Sequence, residues 1–130
     1  MQPYENKLSE KIIGAAIEVH KALGPGLLES AYEECLCREL SLRAVPFERQ
    51  VPLPVVYKDV KLDCGYIQDL VVDNRVIVEL KAVEKLHEIH RAQLLSYLRL
   101  SDRWLGLLIN FNVPILKSGV ERVVSGDPPE

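Results

Sequence analysis

No stretch of this 130-residue chain approaches the roughly eighteen consecutive apolar residues that a membrane-spanning helix requires. The N-terminal "MQPYENKLSEK" lacks the apolar segment that follows a basic start in a secretory leader, so no signal peptide is expected. Cysteine is scarce: Cys35, Cys37 and Cys64 are odd in number and form no CxxC pair, which suits reduced thiols in a cytoplasm. Cys35 is expected to pack within a helix and Cys37 to be incidental. A surplus of positive charge is also missing. Sixteen Lys and Arg against nineteen Asp and Glu give a net charge of −3, which excludes a polycation that coats nucleic acid by charge alone. Any such contact would have to be local, or helped by a bound metal. Internal repeats, low-complexity stretches and a second domain are absent as well.

What is present is pattern. Apolar residues make up 48% of the chain, which is long enough for one domain with its own core. Leu8, Ile12, Ala16, Val19 and Leu23 recur at helical spacing, and "GPG" at 24–26 should end that helix. A second helix is expected from about Leu28 to Leu42, with Leu28, Tyr32, Cys35 and Leu36 inward. Strand signals follow. Val51, Leu53, Val55 and Tyr57 alternate, with Pro52 and Pro54 demoting the run to a sheet edge. Val60, Leu62, Cys64 and Tyr66 alternate again, and "YIQDLVV" and "RVIVELKAV" flank "DNR". A third helix is expected over 87–100, and the continuous apolar run "WLGLLINF" reads as a strand covered on both faces, parallel to a neighbour. "GVERVV" would add a short last strand and "SGDPPE" a frayed tail. This order of elements implies an α/β sandwich with a mixed sheet.

Within "VIVELKAV", Glu79 and Lys81 share a face of a strand that is otherwise apolar on both sides. Asp69 poses the same problem on the strand before. Burying any of these charges uncompensated costs several kcal/mol, of order 20 in the idealised limit. A two-residue turn at Asp73-Asn74 would set Asp69 against Val78, with Glu79 pointing away. A three-residue loop at 73–75, with Asn74 or Arg75 left-handed, sets Asp69 opposite Glu79, and this second register is the expectation. Two carboxylates so close are stabilised by a shared proton or a divalent cation. Oxygen ligands favour Mg²⁺, Mn²⁺ or Ca²⁺ over zinc. His87 and His90 in "HEIH" read as a solvated or capping pair. Spacing alone leaves a structural ion pair and a metal site equally open. Glu29 at the edge of the second helix, and Gln93 and Tyr97 on one face of the third, are further candidates.

Together these residues resemble a known superfamily. Asp69, ten positions before Glu79, followed by Lys81, is similar to the motif of PD-(D/E)XK nucleases, and "QLLSY" is similar to the QxxxY motif of their RecB-type branch. "HKALGPGLLESAYEECL", "ERQVPLPVVYK", "VIVELKAVEKL", "AQLLSYL" and "GLLINF" resemble the small prokaryotic GxxExxY family, whose name falls on Gly26, Glu29 and Tyr32. The proline of the superfamily name is absent; Ile67 and Gln68 precede Asp69.

The resemblance implies a restriction-endonuclease-like core, a mixed central sheet flanked by helices, in one domain over 8–124, between an N-terminal arm (1–7) and a flexible tail (125–130). It also implies phosphodiester hydrolysis with Mg²⁺ (or Mn²⁺) on Asp69, Glu79 and the Leu80 carbonyl, and with Glu29 completing the shell directly or through water. Lys81 would orient or deprotonate the attacking water or offset charge, and Gln93 and Tyr97 would position strand or water. Lys85, Arg91, Arg99 and Arg103 are candidates for phosphate contacts. The expected partner is nucleic acid, DNA before RNA, in the cytoplasm and without a membrane, and a homodimer is left open. The alternatives are an inactive nuclease-fold module that binds nucleic acid or a protein, and a structural homodimer subunit whose buried charges only lock strand register.

Overall fold

The computed structural model describes residues 3–128. Helix α1 spans Tyr4–Leu23, and Leu8, Ile12, Ala16 and Val19 are buried along one stripe, as their spacing requires. The helix reaches back to Tyr4 rather than starting at Leu8. Residues 4–7 of the expected arm are therefore its first turn, and Glu5 is buried there. Gly24 closes it with φ +69, its N–H returning to the His20 carbonyl at 2.8 Å.

Helix α2 spans Glu29–Leu42 and buries Tyr32, Leu36, Cys37 and Leu40. Two expectations, the inward Leu28 and the incidental Cys37, are corrected. Leu28 is the exposed N-cap, one residue before the helical stripe begins. Cys35 is half-buried and packs against the core as expected, whereas Cys37, expected to be incidental, is the buried thiol, because the stripe takes adjacent positions 36 and 37. Burial pushes the Cys37 thiol up to about 11, so it serves as a small apolar group.

The remaining elements are β1 (Phe47–Pro52), β2 (Val55–Tyr57), β3 (Val60–Leu62), β4 (Ile67–Val72), β5 (Val76–Lys81), α3 (Glu88–Ser101), β6 (Leu105–Asn110), a 3-10 turn (Leu116–Gly119) and β7 (Val120–Val124). The main sheet has the order β1-β4-β5-β6-β7. Only β5 and β6 run parallel; every other pairing in it is antiparallel. The sheet is mixed, as expected, and Pro52 lies on its edge strand, where no ladder donor is missed. β2 and β3 pair with each other in a separate hairpin. The alternation from Val60 to Tyr66 is not one strand. Gly65 N–H donates to Asp63 Oδ1 at 3.0 Å, and this turn leaves Cys64 exposed and Tyr66 just short of β4.

β6 is buried along its whole length, between two strands and under helices on both sides. Leu105, Leu107 and Ile109 join Ile12, Leu36 and Leu40 on the α1/α2 side, and Leu108 joins Leu94 and Leu98 on the α3 side. A Cβ on Gly106 would lie 2.9 Å from Leu94, so the glycine lets α3 settle directly on the sheet. In β5, Val76, Val78 and Leu80 face α1/α2 and Ile77 faces α3. By strand periodicity Glu79 and Lys81 face α3 as well. Residues 125–128 follow β7 without regular structure, Ser125 N–H reaching the Trp104 carbonyl at 2.8 Å. The last two residues of the expected tail and the first two of the expected arm lie outside the described residues. Among the described residues, no helix is long and apolar enough to cross a membrane.

Candidate active site

The β4–β5 connection decides which residues meet. Asp73 and Asn74 are left-handed (φ 50 and 54) and Arg75 N–H returns to the Val72 carbonyl at 2.9 Å. Residues 73–75 form the loop, with Val72 opposite Val76 and Leu70 opposite Val78. The register is the expected one, although Asp73 rather than Arg75 shares the left-handed conformation with Asn74. Asp73 is tied down from outside: its N–H donates to the Pro46 carbonyl at 2.8 Å, and Tyr4 Oη–H donates to its carboxylate at 2.7 Å.

One step beyond Leu70 and Val78, where Asp69 and Glu79 come opposite, side chains take over from the ladder. Asp69 N–H donates to Glu79 Oε2 at 2.7 Å, and Leu80 N–H donates to Asp69 Oδ2 at 2.8 Å. β4 follows β1 from here, Gln68 pairing with Val51, and the opening between β4 and β5 is spanned by the two carboxylates. Each accepts from backbone of the opposite strand, so neither main-chain donor is orphaned. The Leu80 carbonyl points to the same side of β5 as its N–H, toward this opening.

Glu79 is only 5% exposed. Burial first, and then the Asp69 charge, push its carboxyl up from 4.5 to about 8. Asp69 is raised as well, chiefly by burial, with Glu33 and Glu29 adding to it. Both acids are therefore short of positive charge. Among the described residues Lys81 forms no ion pair with either, although its charge partly offsets theirs.

Position after Lys81 is fixed by a residue that sequence reading passed over. Asn110, buried at the end of β6, accepts from Val83 N–H at 3.1 Å and donates to the Val83 carbonyl at 2.9 Å. Phe111 N–H also reaches the Lys81 carbonyl at 2.9 Å. The available signal was a lone amide inside the apolar run "WLGLLINF".

Tyr97 of α3 is buried over the carboxylates, and burial and then their charges push its phenol upward. Gln93, one turn earlier, is exposed, and both line a cleft of about 420 Å³. His87 and His90 form the expected cap: His87 N–H donates to His90 Nδ1 at 3.0 Å. Glu29 needs correction. It is exposed in the first turn of α2, and among the described residues no three acidic, His or Cys side chains converge as a metal-binding group. Its charge reaches Asp69 and Glu79, its carboxylate does not join them. Glu33 bonds Arg49 and Gln50, both at 2.7 Å. The expected phosphate contacts scatter. Arg91 is held by Glu88 and Glu121, and Arg103 donates to Asn74. Arg99 lines a different cavity, with Arg75 and Trp104, beyond the β4–β5 loop. Lys85 is exposed.

A family model described as the PD-(D/E)XK nuclease superfamily matches residues 6–123. The chain belongs to this superfamily. Its mixed sheet between helices is consistent with the restriction-endonuclease-like fold, and membership makes nuclease activity the chemistry to be tested. No curated protein and no solved structure matches the chain significantly. The donor set fits a divalent cation of the kind that PD-(D/E)XK nucleases usually employ. Two carboxylates and a carbonyl are hard oxygen donors, and Mg²⁺ is commonly held by one or two carboxylates together with water and substrate phosphate. Tyr32, by contrast, is structural. Its hydroxyl donates to the Gly24 carbonyl at 2.6 Å and accepts from Leu27 N–H at 3.1 Å, while its ring stacks on Phe111 at 4.4 Å.

Proposed function

We propose that this PD-(D/E)XK protein is a nuclease that hydrolyses phosphodiester bonds of DNA, or of RNA, and depends on Mg²⁺ (or Mn²⁺). The observation that carries the reading is the reciprocal hold between β4 and β5, with two electron-rich carboxylates and Lys81 on one face. Asp69, Glu79 and the Leu80 carbonyl would hold the ion. When bound, it supplies Lewis-acid polarisation of the phosphate and a lowered pKa for water. Glu79 would have to be ionised to serve as a ligand, and two adjacent carboxylates that Lys81 does not pair with would favour a cation there. Lys81, unpaired among the described residues, is available to orient the attacking water or to offset phosphate charge. Tyr97 roofs the site, Gln93 lines its approach, and Glu29 and Glu33 draw cations without touching them. The blocks around Gly26, Glu29, Tyr32, Gln93 and Tyr97 support placement in the small prokaryotic GxxExxY family and the QxxxY branch.

One observation favours a second reading, an inactive module that binds nucleic acid or a protein. Among the described residues no arginine or lysine lines the cleft beside Tyr97, and Arg49 and Arg91 are consumed by carboxylates elsewhere. A register-locking ion pair is less well supported, since Lys81 pairs with neither acid. Calorimetric titration of Mn²⁺ and Mg²⁺, alongside cleavage assays on labelled DNA and RNA, tests the choice. The expected result is saturable binding that Asp69→Ala abolishes, and cleavage lost in Asp69→Ala, Glu79→Ala and Lys81→Ala with unchanged circular dichroism. Cleavage that survives all three substitutions overturns the assignment; no metal binding in the unmodified protein favours the module.

A further inference from the structure

The cleft beside the carboxylates is built for an aromatic guest rather than for phosphate. Its walls include Val55, Tyr66, Ile89, Gln93, Tyr97 and Leu100, and its volume of about 420 Å³ lies within the roughly 300–1,000 Å³ of small-ligand pockets. Tyr66 packs edge-on against Tyr97, with ring centres 6.0 Å apart, yet remains 44% exposed. Ile89 and Leu100 are exposed too. Apolar surface left open beside an acidic centre calls for an occupant.

The β2–β3 hairpin extends this surface. Val55 pairs with Leu62 and Tyr57 with Val60, so all four share one face. Val55 lines the cleft, while Tyr57, Val60 and Leu62 stay exposed. Lys58 at the hairpin tip places its ammonium 5.4 Å from the centre of the Tyr57 ring, whereas Lys61, opposite Val56, lies on the other face of the hairpin. The strip thus combines tyrosine faces with one lysine at its tip, and it reaches the carboxylates through Tyr97, which belongs to both. Aromatic faces with sparse cations suit bases rather than a duplex backbone, whose capture depends on many free phosphate contacts. Bases inside a duplex are already stacked and cannot enter.

We infer that the cleft between α3 and the β2–β3 hairpin receives unpaired nucleobases, so that the substrate is single-stranded nucleic acid led to the carboxylates over Tyr66. This rests on the nuclease reading of Asp69 and Glu79 for its consequence, but binding is measurable without it.

The test is fluorescence anisotropy in EDTA with the full chain and three labelled probes: a single-stranded oligothymidylate, a duplex of equal length, and a single strand of abasic sites. The oligothymidylate should bind at least about tenfold more tightly than either other probe. Tyr66→Ala should weaken it about 5- to 100-fold, as expected for one lost stacking contact, while Tyr66→Trp retains it. Equal binding of duplex or abasic strand, or indifference to Tyr66→Ala, overturns the inference. So does failure of all three probes to bind, which would assign the strip to a protein partner. The two readings fail separately: single-strand preference without cleavage under any metal removes only the nuclease, and duplex cleavage untouched by Tyr66→Ala removes only the base cleft.

Discussion

Replacing Glu79 by Gln removes a charge while keeping shape and the acceptor for Asp69 N–H. Glu79 in the metal-free protein titrates at about 8 instead of 4.5, because burial and then Asp69 disfavour its ionised form. The folded chain therefore binds more protons than the unfolded chain between these values. The contribution of this group to stability is fully present below about pH 4.5 and is lost as pH rises through about 8. At about 1.4 kcal/mol per unit, that interval sets an upper limit of roughly 4–5 kcal/mol. For a chain of this size, such a difference shifts the melting temperature by on the order of 10 °C. In EDTA, Glu79→Gln should melt with the unmodified protein near pH 5 and well above it near pH 9. Millimolar Mn²⁺ should close the gap by stabilising only the unmodified protein. Thermal denaturation followed by circular dichroism reads all of this. If Glu79→Gln melts at or below the unmodified protein near pH 9, a cation of the chain, Lys81 foremost, already compensates Glu79, and the argument for a divalent ion falls.

Tyr32→Phe should cost about 1–2 kcal/mol in urea denaturation, since its hydroxyl bridges Gly24 and Leu27, with the cleavage rate unchanged; a lost rate would place Tyr32 nearer the chemistry than its bonds suggest. Asn110→Ala removes the clamp on Val83 and should cost about 2–4 kcal/mol, with cleavage reduced through a displaced Lys81; a change below about 0.5 kcal/mol would show that the clamp is dispensable.

Much of this site was legible in local spacing. Asp69, Glu79 and Lys81 share a face because strand periodicity is two, and a three-residue loop fixes which residues of a hairpin face each other. "WLGLLINF" announced a strand covered on both sides because only such a strand tolerates an unbroken apolar run. Less was legible where partners come from distant segments. Arg91 looked free until Glu121 of β7 took it, and Glu29 looked close until α2 began with its side chain in solvent. Asn110 meant little before Val83 came alongside it. The second hairpin was hidden for a different reason: alternation continues from Val60 to Tyr66, and only the Asp63–Gly65 turn shows where pairing stops.

The sequence by itself determined the faces: which side of each strand carries charge, which stripe of each helix is apolar, and that one mixed sheet would lie between helices. Those are properties of a repeat along one element, set by backbone geometry. The tertiary structure alone decided how the charges are answered. Whether β4 and β5 part at Asp69, whether an arginine is spent on a carboxylate, and whether a tyrosine faces solvent beside the acids all depend on the approach of elements remote in sequence, and on burial that no spacing encodes.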